Sequence, residues 1–180
     1  MVSIGILGLG NWGSAIAKMW LDDGHKVKGW TIESEVYESI TMENINHKYL
    51  PKLSLKGMDV SMHIADTLDG VEVVVLAVPS SVILDVVDQL IPHLRPRHVI
   101  IDLAKGLAPG NQMISHAIQE KLTAAGMANP LAVVTGPTIA PEAAAGVMTT
   151  ALVASEDVSV AKKLAKTLTT QTFILHPASD

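Results

Sequence analysis

This sequence predicts a doubly wound α/β fold, a mostly parallel sheet with helices on both faces. Three observations carry that reading. Short aliphatic runs alternate with stretches of helical periodicity along the whole chain, which implies a parallel sheet covered on both sides. Apolar residues make up 48 % of the chain and aromatics only 3 %, a balance that suits strands buried on both faces. A cluster of glycines stands at the first junction between a strand and a helix. At 180 residues the chain is long enough for one well-buried domain and too short for two of ordinary size, so residues 1–180 are read as one domain.

Residues 2–7 form a short apolar run that ends at glycines, the pattern of a buried strand. Residues 11–22 then place Ile16, Met19 and Trp20 on one helical face, with Gly24 as a C-cap. Residues 27–30 are a second strand, and 31–57 are the least regular stretch. Residues 71–78 are the strongest strand. A helix over 81–94 carries Val82, Val86 and Leu90 four apart, and 98–102 is another strand. Met113, Ile114, Ala117, Ile118 and Leu122 give the next helix its stripe. Residues 131–135 are a strand. Weaker strands at 150–154 and 172–175 flank a helix over 158–168. Right-handed crossovers leave few topologies for such a series.

Composition excludes several classes of function. Net charge is −5, without a basic run, so a nucleic-acid partner is not expected; Lys162, Lys163 and Lys166 read as the solvated face of one helix. The absence of cysteine rules out disulfides, thiolate zinc sites and cysteine nucleophiles. The seven histidines show no metal-ligand spacing and read as surface or satisfied loop residues, so no metal site is expected. No G-x-S-x-G is present, and the carboxylates form no pair suited to glycoside hydrolysis. Residues 1–9 lack a basic leader and a cleavage site and read as a strand rather than a signal peptide. No apolar run approaches the ~20 residues of a membrane helix. The expectation is a cytoplasmic protein without a membrane span.

The first strand runs into Gly8-Leu9-Gly10-Asn11-Trp12-Gly13, the spacing G-x-G-x-x-G between a strand and a helix. Gly8 permits the tight turn, Gly10 lets a pyrophosphate approach the backbone, and Gly13 lets the helix pack close to the strand. The helix N-terminus offers free N–H groups and partial positive charge to phosphates. This is the dinucleotide-binding turn of a Rossmann-type domain. The end of the second strand selects the cofactor: an acid there bonds the ribose 2′-hydroxyl of NAD, whereas an Arg favours the 2′-phosphate of NADP. Glu33 is the only acid at a suitable distance and no Arg accompanies it, which favours NAD and leaves NADP open. Its alternative reading is an exposed loop charge.

Ligands in doubly wound sheets sit at the carboxyl ends of strands, so the remaining strand ends are candidates. Val78-Pro79-Ser80-Ser81 ends one strand, with either serine able to cap the following helix. Asp102-Leu103-Ala104-Lys105-Gly106 ends another, and the Lys105 point charge suits a phosphate or a developing alkoxide, unless Lys105 is simply a surface lysine. Gly136-Pro137-Thr138-Ile139-Ala140 ends a third, where Thr138 is either a ligand contact or a helix cap.

Together these strand ends resemble the NAD(P)-dependent glycerol-3-phosphate dehydrogenase family. The resemblance rests on residues 8–17, Gly24-His25, Trp30, Asn46 with Tyr49-Leu50-Pro51, Val78-Pro79-Ser80, Lys105-Gly106, and Gly136 to Ala140. It implies hydride transfer between dihydroxyacetone phosphate and glycerol 3-phosphate. Carried over, Asn11, Trp12 and the glycines contact the pyrophosphate, with Glu33, Tyr49, Val78, Pro79 and Ala140 also at the cofactor. Lys105 would lie between nicotinamide and substrate, and Gly136 and Thr138 would touch the substrate. The family often has Arg after the strand-two Trp, where Thr31 and Ile32 stand here. It also has a second, all-helical domain that supplies the proton-accepting lysine and most of the substrate phosphate grip, and no equivalent segment is present. The chain is therefore expected to be the cofactor-binding half of such an enzyme, one that acts on a phosphorylated small molecule. Alone it should bind dinucleotide, turn over negligibly and either form homodimers or aggregate at high concentration through exposed apolar surface. Two other readings stay open: the cofactor domain of a related hydroxyacid or sugar-nucleotide dehydrogenase, and a stand-alone dinucleotide sensor without catalysis.

Overall fold

The aliphatic runs pair into a single eight-stranded sheet. The structure, a computed structural model, describes residues 1–179. Its first half runs β1 (Ser3–Leu7), α1 (Asn11–Asp22), β2 (Lys26–Trp30), α2 (Ser34–Glu43), a small hairpin of β3 (Ile45–Asn46) and β4 (Leu50–Ser54), and β5 (Asp59–Ser61). The second half runs α3 (Ile64–Leu68), β6 (Val73–Leu76), α4 (Ile83–Leu90), β7 (Val99–Asp102), a short ribbon of β8 (Leu107–Ala108) and β9 (Gln112–Met113), and α5 (Ile114–Ala124). It closes with β10 (Leu131–Thr135), α6 (Ala140–Ala144), β11 (Thr149–Ser155), α7 (Val158–Leu168) and β12 (Phe173–Ser179).

The strand order is β12-β11-β10-β7-β6-β1-β2-β5. The chain builds outwards from β1 through β2 to β5, then returns to the other side of β1 and builds outwards again from β6. This reversal of winding is the topological switch point, and it opens a crevice beyond the carboxyl ends of β1 and β6. Leu7 is level with both Trp30 and Leu76, and Leu76 with Asp102. The four strands therefore end in one row, and the loops that leave them project to the same side. Within this sheet every pairing is parallel except β10 with β11, so the mostly parallel sheet is as the sequence predicts.

Two apolar cores flank the sheet, and β6 shows why it reads as a continuous aliphatic run. Val73 and Val75 pack into the core beneath α1, α2, α6 and α7, while Val74 and Leu76 pack into the one beneath α3, α4 and α5. Helix α1 buries Ile16, Met19 and Trp20 as its spacing predicts, and Gly24 follows its end at φ +86°. Trp20 is fully buried, and its indole N–H donates to the carbonyl of Leu168 at 3.0 Å. That bond takes up one of the carbonyls left over at the end of α7.

The structure corrects the sequence reading in several places. The stretch 31–57 is regular: it contains α2 and the β3–β4 hairpin, and β5 and α3 follow it. Helix α2 buries only Val36 and Ile40, a stripe too thin to stand out among its charges. The helix expected over 81–94 is shorter, with a 3₁₀ turn at Ile91–His93. Neither Ser80 nor Ser81 caps it, because Val82 occupies the cap position without a side-chain bond. Strands β11 and β12 are longer than expected. Lys162, Lys163 and Lys166 are exposed as expected. Of the two expectations for the histidines, surface or satisfied loop, His25 and His98 come nearer the second: both are buried loop residues whose Nδ1 accepts a backbone N–H. Among the described residues, no helix is long and apolar enough to cross a membrane.

Replacing Trp20 with Phe removes the donor to Leu168 and leaves that carbonyl dry. The expected cost is about 1–3 kcal/mol, read as a lower urea midpoint with an unchanged m-value.

Candidate functional site

The crevice at the switch point has a volume of about 1070 Å³, at the upper end of small-molecule sites. Its floor is the glycine turn. Gly8 sits at φ +105°, and a Cβ there would stand 2.8 Å from the carbonyl oxygen of Ala77. A Cβ on Gly13 would stand 1.9 Å from the carbonyl oxygen of Gly8, so only glycine lets α1 start this close to β1. Gly10 differs from both, because a Cβ there would meet nothing within 4 Å. Its open side faces the crevice. Gly10 is also the N-cap of α1, with no side chain closing the helix end. The first N–H groups of α1 are thus free to bind an anion.

Trp12 and Asn11 line the crevice beside this turn. Trp12 is half-buried and meets Phe173 edge to face, with ring centroids 6.1 Å apart at 80°. Behind the turn lies a buried polar group. Asn46 donates to the Leu9 carbonyl and to the Ser14 hydroxyl, both at 2.9 Å, and Ser14 also donates to Leu9 at 3.0 Å. The Asn46 side-chain oxygen accepts the backbone N–H of Tyr49 at 3.2 Å. The β3–β4 hairpin is bolted to the glycine turn by these bonds. The sequence reading placed Asn46 in a shared motif without this role; full burial of an amide-bearing side chain is the signal it lacked.

At the end of β2, Glu33 lines the crevice with Thr31 and Ile32. Glu33 is more than an exposed loop charge: it accepts the Tyr49 hydroxyl at 2.9 Å and pairs with Lys48, which also pairs with Glu35. The Lys48 ammonium, with help from Tyr49, holds the Glu33 carboxyl below its ordinary range. Val78, Pro79, Ser80 and Val82, from the loop between β6 and α4, and Asp85 and Val86 of α4 form another wall.

Lys105 is exposed in the crevice. Thr138 and Ala140 line it as well. Thr138 does not cap α6, whose cap position is Ile139. Two predicted residues do not line the crevice. Gly13 lies behind the turn, and Gly136 packs on β11, where a Cβ would come 3.0 Å from the Thr150 carbonyl oxygen and from the Ala151 Cα. No group of three or more potential metal ligands occurs among the described residues.

The sequence model for the N-terminus of NAD-dependent glycerol-3-phosphate dehydrogenase matches residues 3–161. The chain belongs to this family. It is 31 % identical over 180 residues to a glycerol-3-phosphate dehydrogenase [NAD(P)+] of Syntrophotalea carbinolica, covering 99 % of this chain and 54 % of the relative. The crystal structure of the Coxiella burnetii glycerol-3-phosphate dehydrogenase superposes with a TM-score of 0.89 at 30 % identity, over 99 % of this chain and 54 % of that one. The Saccharomyces cerevisiae enzyme shares the fold at 24 % identity, with a TM-score of 0.82 over 97 % of this chain and 56 % of that one. The chain spans about half the length of the relatives it matches.

Within this family domain, Asp102 holds the Lys105 loop. Its carboxylate accepts the Ala104 N–H at 2.8 Å, a turn that aims the following residue away from the sheet. Asp102 is 2 % exposed, and burial pushes its carboxyl up to about 6. A carboxyl raised on folding binds its proton more tightly in the native state. Its contribution therefore favours the fold at low pH and is lost as pH rises through roughly 4 to 6.

Asp102→Asn keeps an acceptor for Ala104 and removes this titration. Urea unfolding across pH 4–6 is expected to show a flatter decline, with the variant gaining on the order of 2 kcal/mol at pH 7. The glycines make a second test. Gly13→Ala is expected to lose about 3 kcal/mol, while Gly10→Ala changes stability by less than about 0.5 kcal/mol; thermal unfolding of the two separates them.

Proposed function

We propose that this chain is the cofactor-holding half of an NAD(P)-dependent glycerol-3-phosphate dehydrogenase and binds NAD(H) in the switch-point crevice. The observation that carries the reading is Gly10: open on its crevice side, at the uncapped N-terminus of α1, it offers a pyrophosphate bare backbone and a helix end. Glu33 would accept the ribose hydroxyls of the adenosine end. The apolar surfaces of Ile32 and Val82, both exposed, flank the space left for adenine, and Tyr49 orients Glu33. When bound, the dinucleotide supplies or accepts a hydride.

The chain's own residues then do the positioning. Lys105 presents a cation at the far end of the crevice, suited to a phosphorylated substrate or to charge developing on its oxygen. Thr138 offers a hydroxyl in the same crevice, and the Val78–Pro79 wall and Trp12 exclude water. Gly136 acts by shape, letting the segment that carries Thr138 cross β11 closely. The interconversion of dihydroxyacetone phosphate and glycerol 3-phosphate is the reaction this family membership supports. The relatives this chain matches are about twice as long, and in this proposal the remaining catalytic groups lie in that additional length.

Fluorescence titration of the purified chain with NADH and NADPH tests the proposal. NADH should bind at least tenfold more tightly, and Gly10→Ala should weaken it about tenfold (~1.4 kcal/mol) without altering the melting temperature. Turnover of dihydroxyacetone phosphate by the 180 residues alone should be negligible. Equal affinity of wild type and Gly10→Ala would place the dinucleotide elsewhere.

A further inference from the structure

Beside the ribose end of the crevice stands a cation that the glycine turn and Glu33 do not account for: Lys48 does not itself line the crevice, but it pairs with Glu33, which does. Lys48 sits between two carboxylates, Glu33 and Glu35, with its ammonium 5.5 Å from the centre of the Tyr49 ring. Its backbone is fixed, because the hairpin segment that bears it is tied through Asn46 to Leu9 and Ser14. Its side chain is 43 % exposed. Exposed ion pairs are worth about 0–1 kcal/mol, so this cation is held in place but not locked.

The sum of charge decides what the subsite accepts. With both carboxylates ionised and the lysine protonated, the three groups carry a net charge of −1. Each oxygen of Glu33 already accepts one donor, Tyr49 on Oε1 and Lys48 on Oε2, yet a carboxylate has about four acceptor positions. A ribose hydroxyl can still be accepted. A phosphate monoester near −2 meets net repulsion instead, and the lysine that would bind it is occupied twice.

Building on the proposed NAD(H) site, we infer that Lys48 is the specificity-determining residue of its ribose end. Clamped by Glu33 and Glu35, it leaves a subsite for a 2′-hydroxyl; released from them, it becomes the cation for a 2′-phosphate. The arrangement needs no arginine after β2. The discriminating charge comes from the β3–β4 hairpin, which reaches across to the end of β2, and is silenced there by two acids.

Separate NADH and NADPH fluorescence titrations of the full 180-residue chain test this, over a salt series, with circular dichroism as the check on folding. Wild type should prefer NADH. Glu33→Gln with Glu35→Gln should move the ratio at least tenfold towards NADPH and give NADPH binding a steeper salt dependence. Adding Lys48→Met should abolish both gains. Lys48→Met alone should weaken NADPH further while NADH still binds. Equal ratios in the double and triple variants overturn the inference and leave the dinucleotide site standing. Failure of wild type to bind either dinucleotide overturns the site and the inference with it.

Discussion

Helix α1 begins as near to β1 as backbone atoms allow, and most of the molecule's functional geometry depends on that approach. A single methyl group on Gly13 would drive into the carbonyl of Gly8. Because none is there, the first turn of α1 lies directly over the end of the central strand, with its free N–H groups aimed into the crevice. The same approach lets Trp20, two turns further on, reach the end of α7. One close contact thus sets both the anion-binding end of the helix and the seating of its far end against the other half of the sheet.

A second constraint joins the two ends of the crevice. The glycine turn and the hairpin that bears Lys48 and Tyr49, the partners of Glu33, lie on different segments, and without a tie their separation would depend on loops. Asn46 supplies the tie with both of its amide hydrogens and its oxygen in use. A buried polar group satisfied this fully is rigid, since every alternative position leaves a donor dry. The hairpin residues that hold the Glu33 carboxylate are thereby placed relative to the helix end before any ligand arrives.

The sequence is most legible where one residue type is physically compulsory. The glycines at 8, 10 and 13, the aliphatic run of β6 and the stripe of α1 each admit few substitutes, and the sheet follows from them. Helix α2 was hidden because it buries only two side chains. The hairpin was hidden because β4 is largely exposed beyond Leu50. Glu33 was legible as an acid at the right spacing, but its partners Lys48 and Tyr49 were not, because they meet it only through the fold of that hairpin. The burial of His25 and His98 was equally invisible. The backbone N–H of Val2 donates to a ring nitrogen of His25 and that of Arg95 to one of His98, contacts that polarity alone does not announce.

The reversal at β11 has a temporal consequence. Because β11 and β12 run opposite to the other six strands of the sheet, the start of β12, not its end, lies on the crevice side, and there Phe173 braces Trp12. The wall beside the first thirteen residues is thus finished by Phe173, at the other end of this domain's sequence. During synthesis the glycine turn emerges early, yet its aromatic neighbour has nothing to lean on until β12 has been added. The site is a contact of high sequence separation, of the kind that forms late in folding, and a nascent chain cannot complete it before residue 173 has left the ribosome.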